Sequence, residues 1–220
     1  MASMTSRTRN RRGEGGRLRD EIILAAERLL EREGAEEAIS LRSVAREAGI
    51  AAPSIYGHFE DRDAIIDAVL DRAFDRLRQY ILDATSPLTD PVESLLAGCH
   101  AYVRFATAEP ARYKVLFDRV RSGPAASSAS AASAASPASA APPAWAARLA
   151  AFQTLVDGIA NCAKAGRSTS TDPFGDATQL WTALHGAVTL RQFLSTFPWP
   201  PLDETIDALV TRIAQVTPPR

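Results

Sequence analysis

The chain has 220 residues, 46% of them hydrophobic and 23% charged, with a formal net charge of −1. That length can bury one large core or two modest ones, and the composition is that of a globular protein. No run approaches the roughly 18 apolar residues of a membrane span, the N-terminal MASMTSRTRNRRGEGG has no apolar signal core, and the near-zero charge excludes a uniformly basic surface, so a cytoplasmic protein with at most local nucleic-acid contacts is expected.

Charge is unevenly placed. Residues 1–20 hold arginines at 7, 9, 11, 12, 17 and 19 against Glu14 and Asp20, and residues 1–16 read as a disordered basic arm. A first helix follows, with Ile22, Ala25, Ala26, Leu29 and Leu30 at i, i+3, i+4, i+7, i+8, ended by Gly34. Ser40 is placed to cap a short second helix carrying Leu41, Val44, Ala45 and Ala48, which Gly49 breaks. Pro53 suits the first turn of a third helix anchored by Ile55 and Phe59.

From Asp61 a longer pattern runs through Ile65, Ile66, Val69, Leu70, Ala73, Leu77 and Ile81 to Ser86-Pro87. A fifth helix starts near Pro91 and a sixth at Glu109-Pro110, with Tyr113, Leu116, Phe117 and Val120 on its apolar face. Residues 122–143 are Ala/Ser/Pro with no charge, aromatic or large apolar side chain, a composition that predicts a mobile linker. Helices resume at Trp145, again from about Pro173 to Phe197, and finally from about 202 to 217. About nine helices and no strand pattern predict an all-α fold, divided into a three-helix head at 17–62 and a helical body at 63–220.

His58, His100 and His185 are scattered, no metalloprotease, nucleophile-elbow or phosphate-loop motif occurs, and Cys99 and Cys162 have no partner spacing. An enzyme is not expected, nor is a metal or a cofactor. The two cysteines are expected to be buried thiols.

Two short helices joined by a Gly-containing turn, behind a longer supporting helix, have the parts of a helix-turn-helix. Small residues suit the crossing, and Ala45, Ala48 and Gly49 supply them. The segment LRSVAREAGIAAPSIYGHFEDRDAII, residues 41–66, closely resembles the DNA-binding domain of the TetR family of regulators. Gly49-Ile50, Ser54-Ile55-Tyr56, His58-Phe59, Arg62 and Ile65-Ile66 carry the likeness, which extends over about residues 17–80. Ala51 departs from it, since a Ser or Thr usually caps the third helix there.

The resemblance implies DNA contacts from Ser40, Arg42, Ala51, Ala52, Pro53, Ser54, Tyr56, His58 and Arg62. Tyr56 would reach a phosphate rather than pack in the head's core, and His58 would touch the backbone. Arg62 would point at a phosphate or pair locally with Asp61 or Asp63. Ala52, Pro53 and Ser54 would lie closest to base edges. The arginine-rich arm would enter the minor groove or merely stay solvated.

The run Glu109-Pro110-Ala111-Arg112-Tyr113-Lys114-Val115-Leu116-Phe117, with Trp181 through Gly186 later, is similar to the WHG-type ligand domain of some of these regulators. It implies a small-molecule effector cavity, for which Tyr102, Phe105, Phe117, Phe152, Trp181 and His185 are the candidate lining residues. It also implies a homodimer through the last two long helices, whose two heads span a palindromic operator. The expected function is a ligand-responsive regulator, with a constitutive DNA-binding protein as the alternative; a cavity in the body separates the two.

Overall fold

The computed structural model describes residues 15–122 and 145–217. Among them the chain forms eight α-helices and two 3-10 segments. In order these are α1 (Gly15–Glu33), a 3-10 turn at Glu36–Ala38, α2 (Leu41–Ala48), a 3-10 segment at Ala52–Gly57, α3 (Arg62–Thr85), α4 (Pro91–Ala108), α5 (Pro110–Ser122), α6 (Trp145–Lys164), α7 (Pro173–Phe193) and α8 (Leu202–Ile213). With Ala52–Gly57 counted as the third helix, this is the nine-helix, all-α order read from the sequence. Most of the basic arm and of the Ala/Ser/Pro stretch lie outside the described residues; Gly15 and Gly16 already belong to α1, and Ser122 to α5.

The chain divides into two compact units between Val69 and Leu70, and α3 runs across that division. In the N-terminal unit the predicted stripe of α1 is buried, with Ile22, Ala25, Ala26, Leu29 and Leu30 each at most 2% exposed. Gly34 closes α1 at φ +66, where a side chain would be strained, and its N–H bonds to Leu30 O at 2.8 Å. Arg28 Nε and Arg32 Nη1 each lie 3.1 Å from the Glu47 carboxylate and tie α1 to α2.

The C-terminal unit is built on capped helix starts. Asp90 accepts from Val92 N at 2.8 Å and Glu93 N at 3.0 Å with Pro91 in the first turn of α4, while Asp172 accepts from Gly175 N at 3.0 Å at the head of α7. Gly158 lets α6 pass close to α4, since a Cβ there would stand 3.1 Å from Leu95 Cδ1. Glu109 ends α4 and ties it to α3 and α5 through three donors: Arg76 Nε at 2.6 Å, Tyr80 Oη at 3.1 Å and the guanidinium of Arg112. Burial pushes the Glu109 carboxyl up, but these donors outweigh it and hold it below the usual range.

Two helices end earlier than their apolar patterns suggest. α7 stops at Phe193, not Phe197, because Pro198 disfavours helical backbone at Phe197. The chain turns out at Leu194, whose carbonyl accepts from Trp199 Nε1 at 2.9 Å. α8 stops at Ile213; Gln215 then adopts φ 52, and Val216 forms an isolated antiparallel bridge with Ser168. Cys99 and Cys162 are buried and unbridged, and burial pushes their thiols up to about 12 and about 11.

Candidate functional site

The N-terminal unit exposes a short polar surface over a fixed core. Ser40 caps α2: its hydroxyl accepts from Ser43 N at 3.1 Å, and Ser43 Oγ accepts from Ser40 N at 2.8 Å, satisfying two donors at once. Gly49 takes the left-handed conformation at φ 67 and turns the chain into Ala52–Gly57. That segment is 3-10 rather than α-helical. Ser54 N bonds to Ala51 O and His58 N to Ile55 O, while Ala51 offers no side-chain cap. Six residues without a cap do not sustain a regular α-turn.

Ile55 and Phe59 point inward, at 0% and 4% exposure. Between them Tyr56 points outward at 64%, which settles the choice between core packing and solvent. Ser40, Arg42, Ala51, Pro53 and Ser54 are exposed, while Ala52, His58 and Arg62 are half-buried. Arg46 is exposed one turn after Arg42, and neither guanidinium has an ion-pair partner among the described residues. Arg46 was not singled out from the sequence, although its i, i+4 spacing from Arg42 puts both on one face of α2.

Arg62 is turned toward its own unit. Its Nε donates to Ile39 O at 2.7 Å and its Nη2 to Glu36 O at 2.9 Å, with the Glu36 carboxylate at 3.4 Å and Asp63 at 3.6 Å. Glu36 opens the 3-10 turn before α2 and Ile39 caps its end, so Arg62 positions that turn from both sides. The Asp63 pairing anticipated for it is present but is the longest of these contacts.

In the C-terminal unit, five helices line a partly open cavity of about 350 Å³. Tyr102, Phe117, Phe152 and Trp181 are among the residues that line it. Phe105 does not: it is fully buried, its ring edge-on to Tyr80 with centroids 5.4 Å apart. His185 stands behind the wall. Its Nδ1 is 2.7 Å from Tyr113 Oη, which is 2.9 Å from Tyr102 Oη, and its ring lies 4.3 Å from that of Phe117. Burial lowers the pKa of His185 and raises that of Tyr102 to about 12.

Aromatic residues alone could not reveal the rest of the wall. Phe74, Leu77, Ile81 and Thr85 come from α3, Gly98 and Cys99 from α4, and Leu155 and Asn161 from α6. Their helical pattern was legible as a buried face, but nothing in it distinguishes a wall from a filled core.

Known families match both units. Residues 22–69 match the model for bacterial regulatory proteins of the tetR family, and residues 95–215 match the tetracyclin repressor-like C-terminal domain. The second match alone covers more than half of the chain. The chain belongs to the TetR family. It is therefore a DNA-binding transcriptional regulator and not an enzyme.

Solved structures carry the same fold. A protein of unknown function from Rhodococcus sp. RHA1 is 25% identical, with a TM-score of 0.71 over 90% of this chain and 94% of that one. The fatty acid degradation regulator FadR from Bacillus halodurans is 15% identical, with a TM-score of 0.62 over 94% and 95%. The TetR-family regulator PfmR from Thermus thermophilus is 18% identical, with a TM-score of 0.59 over 90% and 99%. Among the described residues, no helix is long and apolar enough to cross a membrane.

Proposed function

We propose that this TetR-family chain is a cytoplasmic, ligand-responsive repressor that occupies a palindromic operator as a homodimer and leaves it when a small molecule fills the cavity of its C-terminal unit. The observation that carries this reading is the cavity itself: a constitutive DNA-binding protein has no use for about 350 Å³ of apolar-walled space. Trp181 in the wall, with His185 and Gly186 following on the same helix, supports the WHG-type reading of this unit.

In the head, Tyr56, Arg42 and Arg46 serve as phosphate contacts, with Ser40 and His58 at the margins. Ala51, Ala52, Pro53 and Ser54 come closest to base edges, reading thymine methyls and groove shape rather than hydrogen-bond patterns. Arg62 acts by holding the turn before α2. Dimerisation brings two heads one DNA turn apart, about 34–36 Å. The apolar side chains left open on and after α7 suit that interface: Phe174, Leu190, Phe193, Leu194 and Phe197 are all exposed, Phe193 at 79%. An effector that displaces the C-terminal half of α3 changes the separation of the heads, for which a coupling of about 1–3 kcal/mol is typical.

A reporter driven by the DNA flanking the chain's own gene tests this. Wild-type protein should repress it, and small hydrophobes should restore expression. Leu155→Trp, which fills the cavity from α6 and leaves the head untouched, should still repress but no longer respond. Repression that no small molecule relieves, identical in wild type and variant, would support the constitutive alternative.

A further inference from the structure

The cavity wall is unusual in its charge. Among the described lining residues there is no lysine, arginine or histidine, and Asp157 is the sole carboxylate, its Oδ1 accepting from Gln153 Nε2 at 2.9 Å. The remaining polar groups are neutral: Thr85, Ser94, Tyr102, Thr154 and Asn161, with Cys99 as a protonated thiol. Among these described residues an anionic head would find no cation, and the exposed Asp157 would meet it as a like charge.

The hydrogen-bond chain behind Tyr102 has a direction. Thr189 Oγ1 donates its one proton to His185 O at 2.7 Å, so toward His185 Nε2, at 3.4 Å, it can only accept. That places the ring proton of neutral His185 on Nε2 and leaves Nδ1 bare. Tyr113 then donates to Nδ1, at 2.7 Å, and accepts from Tyr102, at 2.9 Å. Tyr102 has spent its proton inward, so toward the cavity its oxygen can only accept.

We infer that the cavity selects a neutral or cationic hydrophobe whose head group donates a hydrogen bond to Tyr102 Oη, and discriminates against carboxylates. This rests on reading the cavity as the effector site, and it names the chemistry that the site accepts. Bound in this way, the ligand joins a relay that ends on α7 at His185 and Thr189.

Calorimetric titration of the full chain with four probes of one chain length tests the inference: decanol, decylamine, decanoate and 1-chlorodecane, each below its aggregation threshold. Decanol and decylamine should bind roughly tenfold or more tighter than decanoate. Tyr102→Phe should weaken decanol and decylamine by roughly five- to tenfold while leaving 1-chlorodecane, which has no donor, unchanged. Decanoate binding as tightly as decanol would overturn the inference and leave the cavity as an effector site. An equal loss for all four probes in Tyr102→Phe would overturn the role given to its oxygen. Failure of every probe to bind the wild-type chain would overturn the inference together with the reading on which it rests.

Discussion

Tyr56→Ala will leave the stability of the chain unchanged and weaken operator binding by roughly ten- to a hundredfold per head, whereas its neighbour Ile55→Ala will unfold the recognition segment. The contrast follows from burial. Tyr56 is 64% exposed and makes no hydrogen bond among the described residues, so truncating it removes little that the folded chain uses. Its loss is felt only by a bound phosphate, through a charge-assisted hydrogen bond of about 1.5–3 kcal/mol. Ile55 is fully buried, and its carbonyl accepts from both His58 N and Phe59 N, so it anchors the segment that carries Tyr56. Removing its side chain costs about 2–5 kcal/mol through lost transfer energy and the cavity left behind. Denaturant unfolding followed beside DNA titration separates the two. A fall in stability for Tyr56→Ala matching that of Ile55→Ala would place Tyr56 in the core after all.

Arg62→Ala will destabilise the N-terminal unit by about 1.5–3 kcal/mol, and Arg62→Lys will recover little of it. The guanidinium uses its Nε and Nη2 on two carbonyls three residues apart, Ile39 O and Glu36 O, and a single ammonium cannot span both. The side chain is 38% exposed, so its ion pairs with Glu36 and Asp63 are screened and add little to that sum. Local hydrogen exchange across residues 36–45 is the direct readout, because the turn frees its amides when the strut is gone. DNA binding should fall in step with that loss of order. If Arg62→Ala keeps wild-type protection over 36–45 yet loses DNA affinity, the side chain acts on phosphate instead.

Much of this molecule is legible in its residues, and the reasons for the rest are local. Helical periodicity locates the buried stripe of α1 and the anchors Ile55 and Phe59, because an apolar face repeats whether or not its partner is known. Caps are equally local: Ser40, Gly49, Pro91 and Pro173 sit where their backbone chemistry requires. The direction of Arg62 is not local. It is decided by carbonyls 23 and 26 residues earlier, which no pattern around position 62 reveals. Likewise Phe105 and Tyr102 lie one turn apart on α4, yet one fills the core against Tyr80 and the other faces the cavity. What separates them is the placement of α3, α5 and α7 around them. Whether Ala52–Gly57 is 3-10 or α-helical turns on a few ångströms of closure after Gly49, finer than propensity resolves.

Operator binding itself is tested most directly by fluorescence anisotropy of the purified chain on labelled DNA flanking its own gene, against random duplex of equal length at the same salt. Saturable binding by two chains per site is expected, roughly a thousandfold or more tighter than to random DNA. A folded dimer that binds neither duplex, even at low salt where phosphate contacts are strongest, would contradict it.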